Sequence, residues 1–173
     1  MFSRINTRRL TIRTMEDGDL DALLSMLCND TIKQTYMIPD FPSREAAVPL
    51  AQRFIALSQE GKKLVVGIAL GQRLIGFMNE QETVDGCIEM GYVVYPDEHG
   101  KGYMTEAFSA MIDALFERGY VSITAGAFEE NTASIRVMEK CCMKRLDKKE
   151  TIDYRGKAHE CVYYAIEKAG KTK

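Results

Sequence analysis

The chain has 173 residues, 46% hydrophobic and 28% charged, with a formal net charge of −2. That length and mixture describe one globular domain able to bury a core. Lysines and arginines are scattered among the acids, so nothing argues for a nucleic-acid surface or an acidic tail.

"RRLTIRT" (8–14) alternates Leu10 and Ile12 with polar neighbours and predicts a strand. "DLDALLSMLCN" (19–29) carries Leu20, Leu23, Leu24 and Leu27 at helical spacing. "SREAAVPLAQRFIALSQEG" (43–61) predicts a second helix stopped by Gly61, its regular part expected only from near Pro49. Three strands follow, over 63–70, 73–81 and 87–96, the first two joined in a hairpin at Gly71-Gln72. "YMTEAFSAMIDALFERG" (103–119) places Met104, Phe108, Met111 and Leu115 on one stripe and ends at Gly119. Residues 120–128 predict a strand and 131–141 a helix. A closing hairpin of 148–154 with 157–167 turns at Arg155-Gly156. The order is β-α-α-β-β-β-α-β-α-β-β, in which 87–96, 103–119 and 120–128 form a β-α-β crossover with a parallel strand pair.

Between the first two of those elements lies "YPDEHGKGYMTEAF" (95–108). Gly100 and Gly102 permit positive φ and close approach of a ligand to the main chain. The N–H groups of residues 100–104 are expected to face one concavity, reinforced by the helix dipole, with a phosphate or pyrophosphate as guest. The position, at the carboxyl end of a strand, is where open α/β sheets bind ligands. It is not a Walker loop, and Thr105 breaks G-x-G-x-x-G. A plain tight turn is the competing reading. Asn131 and Ser134 open the next helix one turn apart on one side; read plainly, Asn131 is an N-cap.

"GYVVYPDEHGKGYMTEAF" followed by "NTASIRVMEK" resembles the GNAT acetyltransferase superfamily. Within it, "TRRLTIRTM" and "YRGKAHECVYYAIEK" resemble the branch related to ribosomal-protein N-acetyltransferases. The likeness covers nearly the whole chain and is most specific from 87 to 140. It implies a single α/β domain over 1–168 with a mixed, mostly antiparallel sheet and helices on both faces, then a flexible tail over 169–173. It also implies acetyl-CoA as co-substrate, with the pyrophosphate on amides of Gly100, Lys101, Gly102, Tyr103 and Met104. The pantetheine arm would pair with main chain near Tyr92 to Val94 and contact Asn131, with Ser134 near the sulfur. The sequence departs from the family at His99, usually Gln or Arg, and at Met104, usually small. Cys142 and Met143 replace a Gly-aromatic pair, so a distorted helix end is expected there. Met138 stands where many relatives carry a tyrosine acid.

Acetyl transfer to an amine needs a neutral nucleophile and a polarised thioester carbonyl. Glu89 is the expected base, with a polar strand-end residue as its plainer reading. A main-chain N–H near Val94 is the expected oxyanion donor. The acid role falls to Ser134, to water or to no group. Lys101 reads either as a phosphate contact or as a solvated charge. Tyr36 and Tyr154 read either as acceptor-lining or as packing residues. The five cysteines contain no C-x-x-C, and with only two histidines no zinc site can be drawn, so free thiols and no metal are expected. "MFSRINTRRL" lacks an apolar leader stretch and no run reaches membrane-span length, so a cytoplasmic location is expected. The function expected is transfer of acetyl to a primary amine of a protein N-terminus or small molecule, by a chain that base rates make a homodimer. The competing functions are a non-catalytic CoA or acyl-CoA sensor, expected to bind without turnover, and a nucleotide-binding domain, disfavoured by the missing P-loop pattern.

Overall fold

The computed structural model describes residues 3–168, so the tail expected over 169–173 lies outside the described residues. The elements are β1 (Ile5–Asn6), β2 (Thr11–Arg13), α1 (Leu20–Leu27), α2 (Asp30–Lys33), α3 (Arg44–Glu60), β3 (Val65–Leu70), β4 (Arg73–Val84), β5 (Cys87–Val94), α4 (Tyr103–Glu117), β6 (Ser122–Phe128), α5 (Thr132–Lys140), β7 (Lys144–Tyr154) and β8 (Lys157–Glu167). The strands hydrogen-bond in the order β1-β2-β3-β4-β5-β6-β8-β7. The β5–β6 pair is parallel, from Cys87↔Ser122 to Glu89↔Thr124, as a crossover through α4 requires. The β1–β2, β2–β3, β3–β4, β6–β8 and β7–β8 pairs are antiparallel. The mixed sheet expected from the sequence is thus the one found.

The chain divides into two compact units, one running to Asn79 and including Tyr92–Ala107, the other comprising Glu80–Gly91 and the chain from Phe108 onward. In the first, Leu23, Leu24 and Leu27 of α1 and Ala47, Ala51 and Ile55 of α3 are buried with Val65, Leu74 and Phe77. The alanines recur every four residues, giving α3 a narrow small-residue stripe that lets it lie close to its neighbours. Asp19, just before α1, is buried and accepts two bonds from Arg13 at 2.7 and 2.9 Å and one from the Glu16 N–H at 2.8 Å. Ser58, 2% exposed on α3, accepts from the Met15 N–H at 2.9 Å and ties the segment before α1 to that helix.

In the second unit, Phe108, Met111, Ile112 and Leu115 of α4 are buried, as are Ile123 and Ala125 of β6 and Val162 of β8. A separate apolar cluster joins Phe128, Cys161 and Tyr163, with Ile152 and Tyr154 packed against it. All five cysteines are free; burial, then the neighbouring Cys142, pushes the Cys141 thiol up to about 11.

Several boundaries differ from expectation. Helix α3 is regular from Arg44, through Pro49. The Ser43 hydroxyl accepts from the Ala46 N–H at 3.3 Å, so the first turn is capped and the proline removes only one later bond. The four-residue α2 was missed because it is too short for an apolar period. Strand β7 starts at Lys144, its register shifting between Arg145 and Lys149. Nor is the end of α5 distorted. Cys142 has φ 61, its N–H bonds the Glu139 carbonyl at 3.0 Å, and the Met143 N–H bonds the Met138 carbonyl at 3.1 Å. That is a complete Schellman closure built on a non-glycine residue, with Met138 and Met143 both buried beneath it. A side chain in the left-handed region costs about 1 kcal/mol. Cys142→Gly should therefore raise stability by about 0.5 kcal/mol or more once glycine's looser unfolded chain is counted, read as a higher urea midpoint at unchanged m.

Candidate functional site

The first unit carries the glycine loop. β5 ends at Val94, the Tyr95 N–H bonds the Ile75 carbonyl at 2.8 Å, and a single 3-10 turn over Pro96–Glu98 redirects the chain. Gly100 and Gly102 then adopt φ 74 and 77, and a Cβ at Gly100 would meet no atom within 4 Å. The Glu106 N–H bonds the Gly102 carbonyl at 3.1 Å, so the amides of Tyr103, Met104 and Thr105 precede the first i→i−4 bond of α4. Positive φ at both glycines turns the chain into that helix mouth, where N–H groups and the dipole favour an anion.

Two carboxylates hold the loop. Glu98, 5% exposed, accepts from Lys101 Nζ at 2.8 Å and from Arg73. These hydrogen bonds hold its carboxyl below the usual value. Glu106 accepts from Thr7 Oγ1 at 2.6 Å, from the Arg9 N–H at 2.8 Å and from Arg9 Nε at 2.6 Å. Burial pushes its pKa up, yet the Thr7 and Arg9 hydrogen bonds outweigh it and the net direction is down. Arg9 Nη1 also donates to the Lys101 carbonyl at 2.9 Å, and its guanidinium lies 4.5 Å from the centre of the Tyr103 ring. His99 Nε2 lies 3.1 Å from the Val94 carbonyl, which makes that nitrogen the donor.

The second unit carries Glu89, Asn131 and Ser134. Asn131 caps α5: its Oδ1 accepts from the Ser134 N–H at 3.2 Å and its Nδ2 donates to Ser134 Oγ at 3.1 Å. The plain N-cap reading is realised, and the same two bonds fix where the Ser134 hydroxyl sits. Met138, one turn on, is fully buried, and its thioether has no proton to give. Glu89 is half-buried in β5. Burial raises its pKa, Lys148 opposes this, and Glu82 and Glu150 add to it. Nearby, the Tyr163 hydroxyl donates to Glu150 Oε2 at 2.5 Å, and Lys148 Nζ sits 4.0 Å from the Tyr163 ring centre. Burial first, then the bond to Glu150, raises the Tyr163 pKa, so the hydroxyl stays protonated.

Tyr92 and Val94 are half-exposed at the end of β5, and Met104 turns its side chain into the core. The Lys101 ammonium is committed to Glu98. Tyr36 is a packing residue, edge-on to Phe77 at 5.6 Å and donating to Asn79 Oδ1 at 2.6 Å. Tyr154 packs 6.0 Å from Phe128. Arg9, Arg73, Glu98 and Glu106 were missed. Glu106 looked like an ordinary acid in a first helical turn, and its partners lie 97 and 99 residues away in sequence. Among the described residues, no group of three or more His, Cys, Asp or Glu is arranged to hold a metal, and no helix is long and apolar enough to cross a membrane.

The surroundings of Glu89 give a direct expectation. Its carboxyl carbon, followed by NMR, should titrate above the ordinary 4.5. Glu150→Gln should lower that midpoint and Lys148→Met should raise it; a midpoint at or below 4.5 would contradict the environment described.

The acetyltransferase (GNAT) domain family matches residues 9–144. The uncharacterized N-acetyltransferase YoaA of Bacillus subtilis (strain 168) is 30% identical over 145 residues, covering 81% of this chain and 82% of that protein. The crystal structure of a GNAT-family acetyltransferase from Bacillus anthracis superposes with a TM-score of 0.82 at 26% identity, covering 95% of this chain and 98% of the other. RimL, a ribosomal-protein acetyltransferase solved in complex with coenzyme A, has the same fold, with a TM-score of 0.81 at 20% identity, covering 95% and 98%.

Proposed function

Because the chain belongs to the GNAT acetyltransferase family, an acyltransferase family, we propose that it moves the acetyl group of acetyl-CoA to a primary amine, on a protein N-terminus or a small molecule. The observation that carries the reading is the loop Gly100–Met104, where two left-handed glycines lead into the first turn of α4, ahead of its Glu106 N–H to Gly102 carbonyl bond. The residues fit the group: Gly100 leaves open space beside the main chain, and the coenzyme A complex of RimL belongs to a protein of this fold. In this reading the pyrophosphate lies on the amides of Gly100, Lys101, Gly102, Tyr103 and Met104. The pantetheine arm is assigned to the main chain at Tyr92 to Val94.

Glu89 is assigned the base role. A carboxylate with a raised pKa takes a proton from an ammonium more readily than an ordinary one, directly or through water. The free amine attacks the thioester carbonyl, whose oxygen gains negative charge beside the Val94 N–H, and the C–S bond breaks. The leaving thiolate is stable enough to depart unaided, and it takes up through water the second proton that the acylated nitrogen sheds. Ser134, its hydroxyl held by Asn131, is the protein group assigned to stand near the sulfur.

Calorimetric titration of acetyl-CoA tests the co-substrate. Alanine at a left-handed position costs about 1–2 kcal/mol, which is about tenfold or more in affinity if the ligand must restore that conformation. Gly100→Ala with Gly102→Ala should weaken binding by about 100-fold, and absence of binding in the unaltered protein would sink the reading. With an amine acceptor found by thiol release, Glu89→Gln should lower kcat by about 100-fold at unchanged acetyl-CoA affinity. The base must be unprotonated, so wild-type activity should fall as pH drops through the raised Glu89 pKa, and the variant should lack that limb.

A further inference from the structure

We propose that Arg9 is a positioning residue for the phosphate-binding loop, acting through the Lys101 carbonyl and Glu106; this rests on the reading of Gly100–Met104 as the pyrophosphate site. A Gly-Lys-Gly segment has unusually wide backbone freedom, so the arrangement of its amides must be imposed from outside it. Arg9 Nη1 fixes one of its carbonyls, that of Lys101, at 2.9 Å. In a trans peptide the C=O and N–H point in opposite directions. Holding the Lys101 carbonyl toward Arg9 therefore aims the Gly102 N–H away from Arg9, toward the opposite side of the loop. Arg9 Nη2 stands 3.6 Å from where a Gly102 Cβ would be, so the guanidinium closes the near side of that peptide.

Arg9 is itself immobilised. Its Nε and its backbone N–H both donate to the Glu106 carboxylate, and its guanidinium covers the Tyr103 ring. Thr7 closes the turn that presents it: the Leu10 N–H donates to Thr7 Oγ1 at 3.0 Å, the Thr7 N–H donates to the Leu10 carbonyl at 2.9 Å, and Thr7 Oγ1 bonds Glu106. There is an electrostatic consequence as well. Glu106 lies in the first turn of α4, the end offered to an anion, and its ionised form would repel a phosphate. The paired Arg9 cancels that charge, so the residue both shapes the loop and removes an obstacle to its ligand.

The test uses the full chain without ligand and then with two probes. Backbone order parameters of Gly100–Met104 should fall from rigid values of about 0.85 toward about 0.6 in Arg9→Ala. Affinities for coenzyme A and for dephospho-coenzyme A, which share the pyrophosphate, should fall together by about 10- to 100-fold, the worth of a charge-assisted hydrogen bond. Arg9→Lys, which keeps the charge but not the fork, should recover only part of both losses. Should Arg9→Ala fail to fold, Thr7→Val removes one bond to Glu106 and should loosen the loop and weaken both probes to a lesser degree. Unchanged order parameters would overturn the proposal. So would an affinity loss confined to coenzyme A, which would make Arg9 a direct contact to the 3′-phosphate. Failure of the unaltered protein to bind either probe would remove the pyrophosphate reading, while the order parameters would still decide whether Arg9 fixes the loop.

Discussion

The loop at the mouth of α4 depends on one carboxylate. Glu106 takes three hydrogen bonds from the segment Thr7–Arg9, and through Arg9 that segment reaches the Lys101 carbonyl. A glycine-flanked turn has no rigidity of its own. Its freedom is what lets a ligand approach the main chain, and its usefulness requires that the freedom be taken away. The restraint comes from two sides of the same unit: Glu98 anchors Lys101 and Arg73, and Glu106 anchors Arg9. Both carboxyls are held ionised by those hydrogen bonds, so the loop sits among charges that are already paired.

The same economy appears at Asn131 and Ser134. One amide side chain caps α5 through its oxygen and orients a hydroxyl through its nitrogen. The capping bond is what would give the hydroxyl a fixed place. Glu89 illustrates the opposite arrangement, a carboxylate left in half-buried surroundings where burial and two acids outweigh one lysine and raise its pKa.

Much of this was legible from residue order. Helices α1, α3 and α4 announce themselves by an apolar period, and Gly61 and Gly119, at φ 69 and 99, end α3 and follow α4 where glycine signals predicted. Gly100 and Gly102, read as able to take positive φ, do so at 74 and 77. What stayed hidden was of three kinds. Elements of two to four residues, β1 and α2, carry no period. The start of β7 is solvent-exposed on both sides, from Lys144 to Glu150, so no alternation marks it. And the braces of the loop are contacts between residues far apart in sequence, each of which reads alone as an ordinary surface charge. Cys142 was visible as a position where sequence rules expect glycine, yet the chain closes the helix there regardless, with Met138 and Met143 buried beneath it.

The separation between Thr7 and Glu106, 99 residues, also has a meaning for how the molecule comes to be. During synthesis the N-terminal turn emerges long before its partner, and α4 can coil locally without it. The brace is a high-contact-order closure laid over elements able to form earlier. The glycine loop is thus the part of its unit whose final shape waits for both ends of a long chain segment to meet.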